Sequence, residues 1–295
     1  MNSGERFPRN FVELAEKNIA TKPRDVAWIM INRFLGHVQQ QTATLRDGQQ
    51  MEVMIPEGIS NFLSLEGDFE PEVTCALQFT LKPDMVFWNI GSHIGLRVVQ
   101  SDRLVGVKGV IFAFEPTPRT KELLDLNSQG RKSAIQTFPY ALGNQSGTVP
   151  FTDYGWLYSG CNTAAHSPRI RPRPFRRVPT PRQLSVPMKT VDALINDSTL
   201  RTPDVIAVDA EGYEFQIFQG ADTTFTEHRP IVIFETGDIG SSQTIPSLEL
   251  LQQHGYKLFE WDSIAERLCK HELQKSYPES GNLVAIHPQA ARDSL

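Results

Sequence analysis

From about residue 85 onward the chain alternates two hydrophobic patterns. Continuous apolar runs, Met85 to Ile90, Val110 to Phe114, Ile135 to Leu142, Val205 to Val208 and Ile231 to Phe234, are separated by stretches with apolar residues at helical spacing, near 94–104, 117–128 and 213–218. A short apolar run bounded by turns reads as a strand buried on both faces, and the helical spacing reads as a helix with one buried stripe. The alternation predicts an α/β fold: a mostly parallel sheet with crossover helices on both faces, and Tyr256 to Glu260 and Leu283 to Ile286 as its last strands.

The first part of the chain follows another rhythm. Phe11, Leu14, Ile19, Trp28, Ile29, Ile31, Phe34 and Leu35 recur at roughly helical spacing, broken by Pro23, and predict two short helices. Residues 42–79 carry the run Met51 to Ile55 between Gly48, Pro56 and Gly58 and predict a small hairpin or strand pair. We therefore divide the chain into an accessory segment, 1–79, and a main α/β domain, 80–295. One stretch breaks the main rhythm: residues 166–184 hold six arginines and five prolines, which excludes a helix or central strand and predicts a loop. It reads either as a solvated insertion or as a lid or docking patch for an anionic acceptor or carrier.

Charge and composition narrow the partners. A formal charge of -5 with a pI near 5.8 argues against a surface built to neutralise phosphates, so nucleic acid is not an expected partner. Cys75, Cys161 and Cys269 are far apart and odd in number, which fits reduced, packed thiols. The opening MNSGERFPRN has no apolar targeting core, and no stretch reaches the roughly 18 apolar residues of a membrane span. The expectation is a cytoplasmic protein that does not enter the membrane.

Four motifs could carry chemistry. In Val86-Phe-Trp-Asn-Ile-Gly-Ser-His-Ile-Gly95 a strand runs into a turn whose glycines allow close backbone approach, ahead of a helix N-terminus with unpaired N–H groups. In Val110-Ile-Phe-Ala-Phe-Glu-Pro116 an acid ends the next strand, 20 residues after Gly95, where such sheets place a carboxylate for ribose hydroxyls. The third and fourth, Val205-Ile-Ala-Val-Asp-Ala-Glu-Gly212 and Ile231-Val-Ile-Phe-Glu235, also end in acids, so Asp209, Glu211 and Glu235 could converge with Glu115 on one rim. Without histidine or tight spacing in the last two, acid/base and hydrogen-bonding roles are expected, and no metal.

Together with Asn127, Tyr140-ALGNQSG-Thr148, Lys189-TVDALI, the helix and glycine after Glu211, and Gly281-NLVAI, these motifs resemble the FkbM family of class I methyltransferases, in order, over roughly residues 80–290. The resemblance implies a seven-stranded Rossmann-like sheet, S-adenosyl-L-methionine as methyl donor and usually an oxygen as acceptor. It places Gly91 and Gly95 against the cofactor's methionine portion, Glu115 on its ribose, and Ala141 or Leu142 near its adenine. It sets Asp209, Glu211 and Glu235 around the acceptor pocket; Tyr213 and His166 are further candidates for binding the acceptor, and Asp209 and Asn89 for binding the cofactor. Where the family usually shows D-x-G-A-N-x-G this chain has Asn89, Ser92 and His93, and the lysine common two residues before the family's D-x-EG aspartate is Ala207. Asn89 thus lacks the carboxylate that would meet the cofactor's ammonium, and His93 is either compensation, a catalytic base or a helix-start residue.

The expected reaction is O-methylation of a small-molecule, sugar or natural-product hydroxyl. Methyl transfer from a sulfonium is an in-line displacement with a good leaving group, so orientation is most of the task. A base for a hydroxyl acceptor is expected among Asp209 and Glu211 first, then His93 and His166. Two alternatives stay open on sequence: a nicotinamide-dependent oxidoreductase, weakened by the missing middle glycine, and a non-catalytic cofactor-binding scaffold that recruits an acidic partner through its arginines.

Overall fold

The computed structural model describes residues 7–8, 10–165, 180–197, 200–236, 243–274, 276–277 and 281–290. The chain opens with helices α1 (Phe11–Asn18) and α2 (Pro23–Leu35), then a hairpin of β1 (Gln39–Thr44) and β2 (Gln50–Ile55), then α3 (Gly58–Glu66) and α4 (Pro71–Thr80). Asn10 caps α1 through its side chain, and proline opens α2 and α4, where a missing N–H costs nothing. The two expected helices and the strand pair are present. Two further helices fill 58–80, where the sequence reading expected only short strands. α3 is buried on more than one side, which hides its helical period, whereas Val73, Ala76, Leu77 and Thr80 give α4 a single buried stripe at helical spacing.

The main unit follows: β3 (Val86–Ile90), α5 (Leu96–Val105), β4 (Val110–Phe114), α6 (Pro118–Ser128), β5 (Ala134–Phe138), β6 (Ala141–Leu142), β7 (Gly147–Asp153), a 3₁₀ turn at Trp156–Cys161, β8 (Arg182–Lys189), α7 (Val191–Asn196), β9 (Val205–Val208), α8 (Glu214–Gln219), a π turn at Thr224–His228, β10 (Ile231–Thr236), α9 (Thr244–Gln253), β11 (Lys257–Asp262), β12 (Arg267–Lys270) and β13 (Gly281–Ile286). The large sheet has the order β12-β11-β13-β10-β9-β3-β4-β5. Its β10-β9-β3-β4-β5 part is parallel, and β13, β11 and β12 pair antiparallel. This is the Rossmann-like α/β fold expected, with eight strands rather than seven, because Arg267–Lys270 adds an edge strand to β11. The run read as one strand, Ile135 to Leu142, is two: β5 closes the large sheet, while β6 turns away into a small sheet ordered β6-β8-β7. Residues 182–184, expected in the arginine-rich loop, begin β8. Residues 166–179 of that loop, His166 included, lie outside the described residues.

Alternation along the strands builds two cores. Trp88, Ile90, Phe112, Phe114, Val208 and Phe234 face one side, packed against Phe218 and Leu248. Phe87, Ile111, Ala113, Ala207 and Ile233 face the other, against Val73, Leu77 and Val98. The N-terminal helices share a third cluster with α5 and α6: Leu14, Ile29, Val53 and Leu63 pack with Ile94, Val99 and Leu123. Asn127 pins this cap. Its amide exchanges bonds with the Glu52 backbone at 2.7 and 2.9 Å and donates to the Ile94 carbonyl at 2.8 Å. Among the described residues, no helix is long and apolar enough to cross a membrane.

Candidate cofactor and acceptor site

The chain runs outward from β3 through β4 to β5 and then returns to the other side of β3 as β9 and β10. Such a reversal opens a crevice at the carboxyl ends of the strands, because the loops leaving β3 and β9 depart in opposite directions. A cleft enclosing about 630 Å³, its mouth included, lies there. Its floor is the turn after β3. Gly91 has φ +79°, and a Cβ on it would stand 1.7 Å from the Asp209 carbonyl oxygen, so only glycine lets the turns after β3 and β9 touch. Gly95 has φ +93° and a different reason for being glycine: a Cβ there would meet Leu124 of α6 at 2.8 Å. It starts α5 and does not line the cleft.

Glu115, at the end of β4, is buried in the cleft wall. Its Oε1 accepts from the Thr117 N–H at 2.9 Å and the Thr120 hydroxyl at 2.8 Å, and its Oε2 accepts from the His93 N–H at 2.9 Å. A carboxylate offers about four lone-pair sites, so one remains. The carboxylate therefore welds the glycine turn to the start of α6 and keeps room for one further donor, where the sequence reading expected two. His93 has φ +49°, a conformation tolerated best by glycine, asparagine, aspartate and histidine, which accounts for a histidine here in backbone terms. Its ring lines the cleft, with Nε2 2.7 Å from the Ser159 hydroxyl and Nδ1 buried without a partner. Asn89 lies on the other face of β3 from Ile90. It is buried, its Oδ1 has no partner, and it is not part of the cleft wall.

The opposite wall is Tyr140, Ala141, Leu142, Tyr213 and Ile217. Burial pushes the Tyr140 hydroxyl up to about 12 and also raises Tyr213, so both present neutral, flat surfaces. At the β9 end Asp209 and Glu211 face the cleft, and Glu235 is the last residue but one of the neighbouring β10. The three carboxylates lie within 4.8 Å of one another, tighter than the sequence suggested and close enough to hold a cation. Glu115 stands apart from them, two strands away across β3. Burial holds the Glu235 carboxyl well above the ordinary carboxylate range, reinforced by Glu211, Asp209 and Glu70. Glu70, paired with Arg97 at 2.9 Å, is pushed up to about 7 by burial, against the pull of Arg97 and with the help of Asp209. Glu211 itself sits at φ +53°.

Sequence reasoning missed the roof. Phe151, Ser159, Gly160, Asn162 and Ala164, with Ile59 from α3, close the cleft from above. Phe151 belongs to the alternating strand β7, whereas Ser159, Gly160, Asn162 and Ala164 come from a stretch without hydrophobic periodicity, where local pattern marks only a turn. Of the expected residues, Gly91, His93, Glu115, Ala141, Leu142, Asp209, Glu211 and Tyr213 line one cleft; Glu235 abuts it through the acid group, and Asn89 and Gly95 stand behind it.

A glycine turn after the first parallel strand, a buried acid after the second and a cleft at the order reversal define a protein built to take a nucleotide-type cofactor. The sequence pattern of the methyltransferase FkbM domain matches residues 89–258, more than half of the chain, and the chain belongs to that family. This places it apart from the nicotinamide enzymes. A curated relative, the hexuronic acid methyltransferase AglP of Haloferax volcanii, is 27% identical over 151 residues, covering 51% of this chain and 56% of its own length. Among solved structures, a methyltransferase FkbM from Methylobacillus flagellatus superposes with a TM-score of 0.42 at 14% identity, over 78% of this chain and 52% of its own. An S-adenosylmethionine-dependent O-methyltransferase from Thermotoga maritima gives 0.41 at 10% identity, over 87% and 81%.

Proposed function

We propose that the chain transfers the methyl group of S-adenosyl-L-methionine to an oxygen of a small acceptor, of which a sugar or sugar-acid hydroxyl is the best-supported class. The observation that carries this reading is the cleft itself, where the close-approach turn at Gly91, the buried Glu115 and the neutral Tyr140–Leu142 wall meet the acids after β9. The residues suit the cofactor: Gly91 brings the turns after β3 and β9 together as the cleft floor, and Glu115 keeps one lone-pair site for a ribose hydroxyl. Ala141 and Leu142 offer an apolar surface to the adenine. Asn89 and Gly95 shape the turn from behind. Membership of a methyltransferase family and a relative named for hexuronic acid support both the donor and the acceptor class.

Bound there, the cofactor supplies a methyl carbon on a positively charged sulfur with a good leaving group. The chain's own task is to hold the acceptor in line and to receive a proton. Asp209 and Glu211 face the cleft, with Glu235 behind them. Burial, and then crowding by Glu211 and Asp209, holds the Glu235 carboxyl well above the ordinary range, and Asp209 and Glu211 are the carboxylates placed to receive the acceptor's proton. Tyr213, on the cleft wall, borders the acceptor. His93 is the weaker base, because its Nε2 is committed to Ser159.

The test is calorimetric titration with S-adenosylhomocysteine, followed by transfer of labelled methyl to a uronic-acid glycoside and to its neutral counterpart. Binding that collapses in Glu115→Ala, with label in either glycoside, supports the reading. Absence of binding by the wild type would overturn it, and binding without transfer to any hydroxyl acceptor would favour a scaffold.

A further inference from the structure

The roof over the cleft is a loop closed on itself. At its base Thr152 and Thr163 exchange backbone bonds at 2.8 and 3.2 Å, and the Tyr154 N–H donates to Asn162 Oδ1 at 2.8 Å. Three ties hold this base to the sheet: Arg119 on Asp153 at 2.7 Å, Asn162 Nδ2 on Thr117 at 3.3 Å, and the Thr163 hydroxyl on the Glu211 carbonyl at 2.9 Å. The tip, the 3₁₀ turn Trp156–Cys161, is held differently. A side chain at Gly160 would reach ordinary contact with Ile59 of α3, and a hydrogen bond joins the tip to the glycine turn, from Ser159 to His93.

We infer that His93 is a positioning residue whose bond to Ser159 latches the tip of the roof over the cofactor cleft; this rests on the cofactor reading above. The geometry ties the residue at two points, one on its backbone and one on its ring. Its backbone N–H is on Glu115, Nε2 is on the buried Ser159 hydroxyl, and Nδ1 is buried with no partner to take over if the Ser159 bond is lost. With Nδ1 already unpaired, the Ser159 bond is the side-chain hydrogen bond this half-buried ring makes, and breaking it leaves the buried Ser159 hydroxyl without that partner. The latch is specific to the side chain. Asparagine adopts the same left-handed backbone but is too short to span from the turn to the tip, so His93 links cofactor floor and roof where a smaller residue would leave them independent.

The latch predicts slower escape of a bound cofactor, not faster entry. Stopped-flow binding of S-adenosylhomocysteine to wild type, His93→Asn, Ser159→Ala and the double variant reads this directly. Each single variant should raise the dissociation rate about ten-fold, with association little changed and binding stoichiometry intact. The double variant should be no worse than the worse single one, because both remove the same bond. A merely structural defect would lower stoichiometry instead, and effects that multiply in the double variant, or an unchanged dissociation rate, would overturn the latch. Hydrogen exchange on the cofactor-free protein gives an independent arm: amides of residues 156–161 should exchange faster in both single variants, and equal protection overturns the inference. Faster exchange in the variants beside a wild type that binds no adenosyl ligand would keep the latch and sink the cofactor assignment.

Discussion

Gly91→Ala is the sharpest perturbation of the site. The added methyl group carries two separate costs. At φ +79° an L-residue is disfavoured by about 1–2 kcal/mol, and overpacking against a fixed neighbour adds roughly 1–3 kcal/mol. The neighbour here is the Asp209 carbonyl oxygen at 1.7 Å, a backbone atom that cannot rotate away. The turns after β3 and β9 must therefore part, and the sum, about 2–5 kcal/mol, corresponds to a fall in melting temperature on the order of 10 °C. Gly130→Ala isolates the first cost, since Gly130 has φ +69° with no atom within 4 Å of the added methyl. Thermal melts of both variants, with calorimetric titration of S-adenosylhomocysteine, separate the two. Gly91→Ala should melt well below Gly130→Ala and lose the ligand. Equal melting temperatures with undiminished binding would refute the claim that contact between these turns forms the cleft floor.

Three further outcomes follow from particular contacts. Glu70 and Glu235 hold protons in the folded state that they release in the unfolded chain, so stability falls as pH rises from about 4.5, the ordinary carboxyl value, through about 7 for Glu70; urea midpoints across that window should fall less steeply in Glu235→Gln, and an unchanged slope counts against the crowded acids. Asp192 accepts from the Thr223 N–H at 2.9 Å and from Thr224 through its N–H at 2.9 Å and hydroxyl at 2.6 Å, so Asp192→Ala should cost roughly 2–4 kcal/mol by chemical denaturation, and a loss under about 0.5 kcal/mol would show those bonds are replaced by water. Phe34 is 90% exposed on α2, and Phe34→Ser should leave stability within about 0.5 kcal/mol; a larger drop in the melting temperature would mean that this face is covered in solution.

The sequence by itself determined the strands and the chemistry at their ends. Val110 to Phe114 and Val205 to Val208 match β4 and β9 residue for residue, because a strand buried on both faces must be apolar throughout and that pattern is local. Gly91, Glu115, Asp209 and Glu211 were legible for a related reason: they interrupt those runs where a strand must stop. What tertiary structure decided lies where no local period operates. The helix at 58–66 is hidden because burial on several sides erases amphipathic spacing, while the stripe Val73, Ala76, Leu77 and Thr80 of the next helix does carry the period. The eighth strand is a short, half-buried edge whose pairing depends on β11 and not on its own composition. Convergence of Glu235 with Asp209 and Glu211, and its raised carboxyl, follow from β10 lying beside β9. Ser159 came to His93 only because the loop after β7 folds back over the sheet. Sequence fixes which groups stand at the ends of strands; strand order and loop return decide which of them meet, since those contacts join residues far apart in the chain.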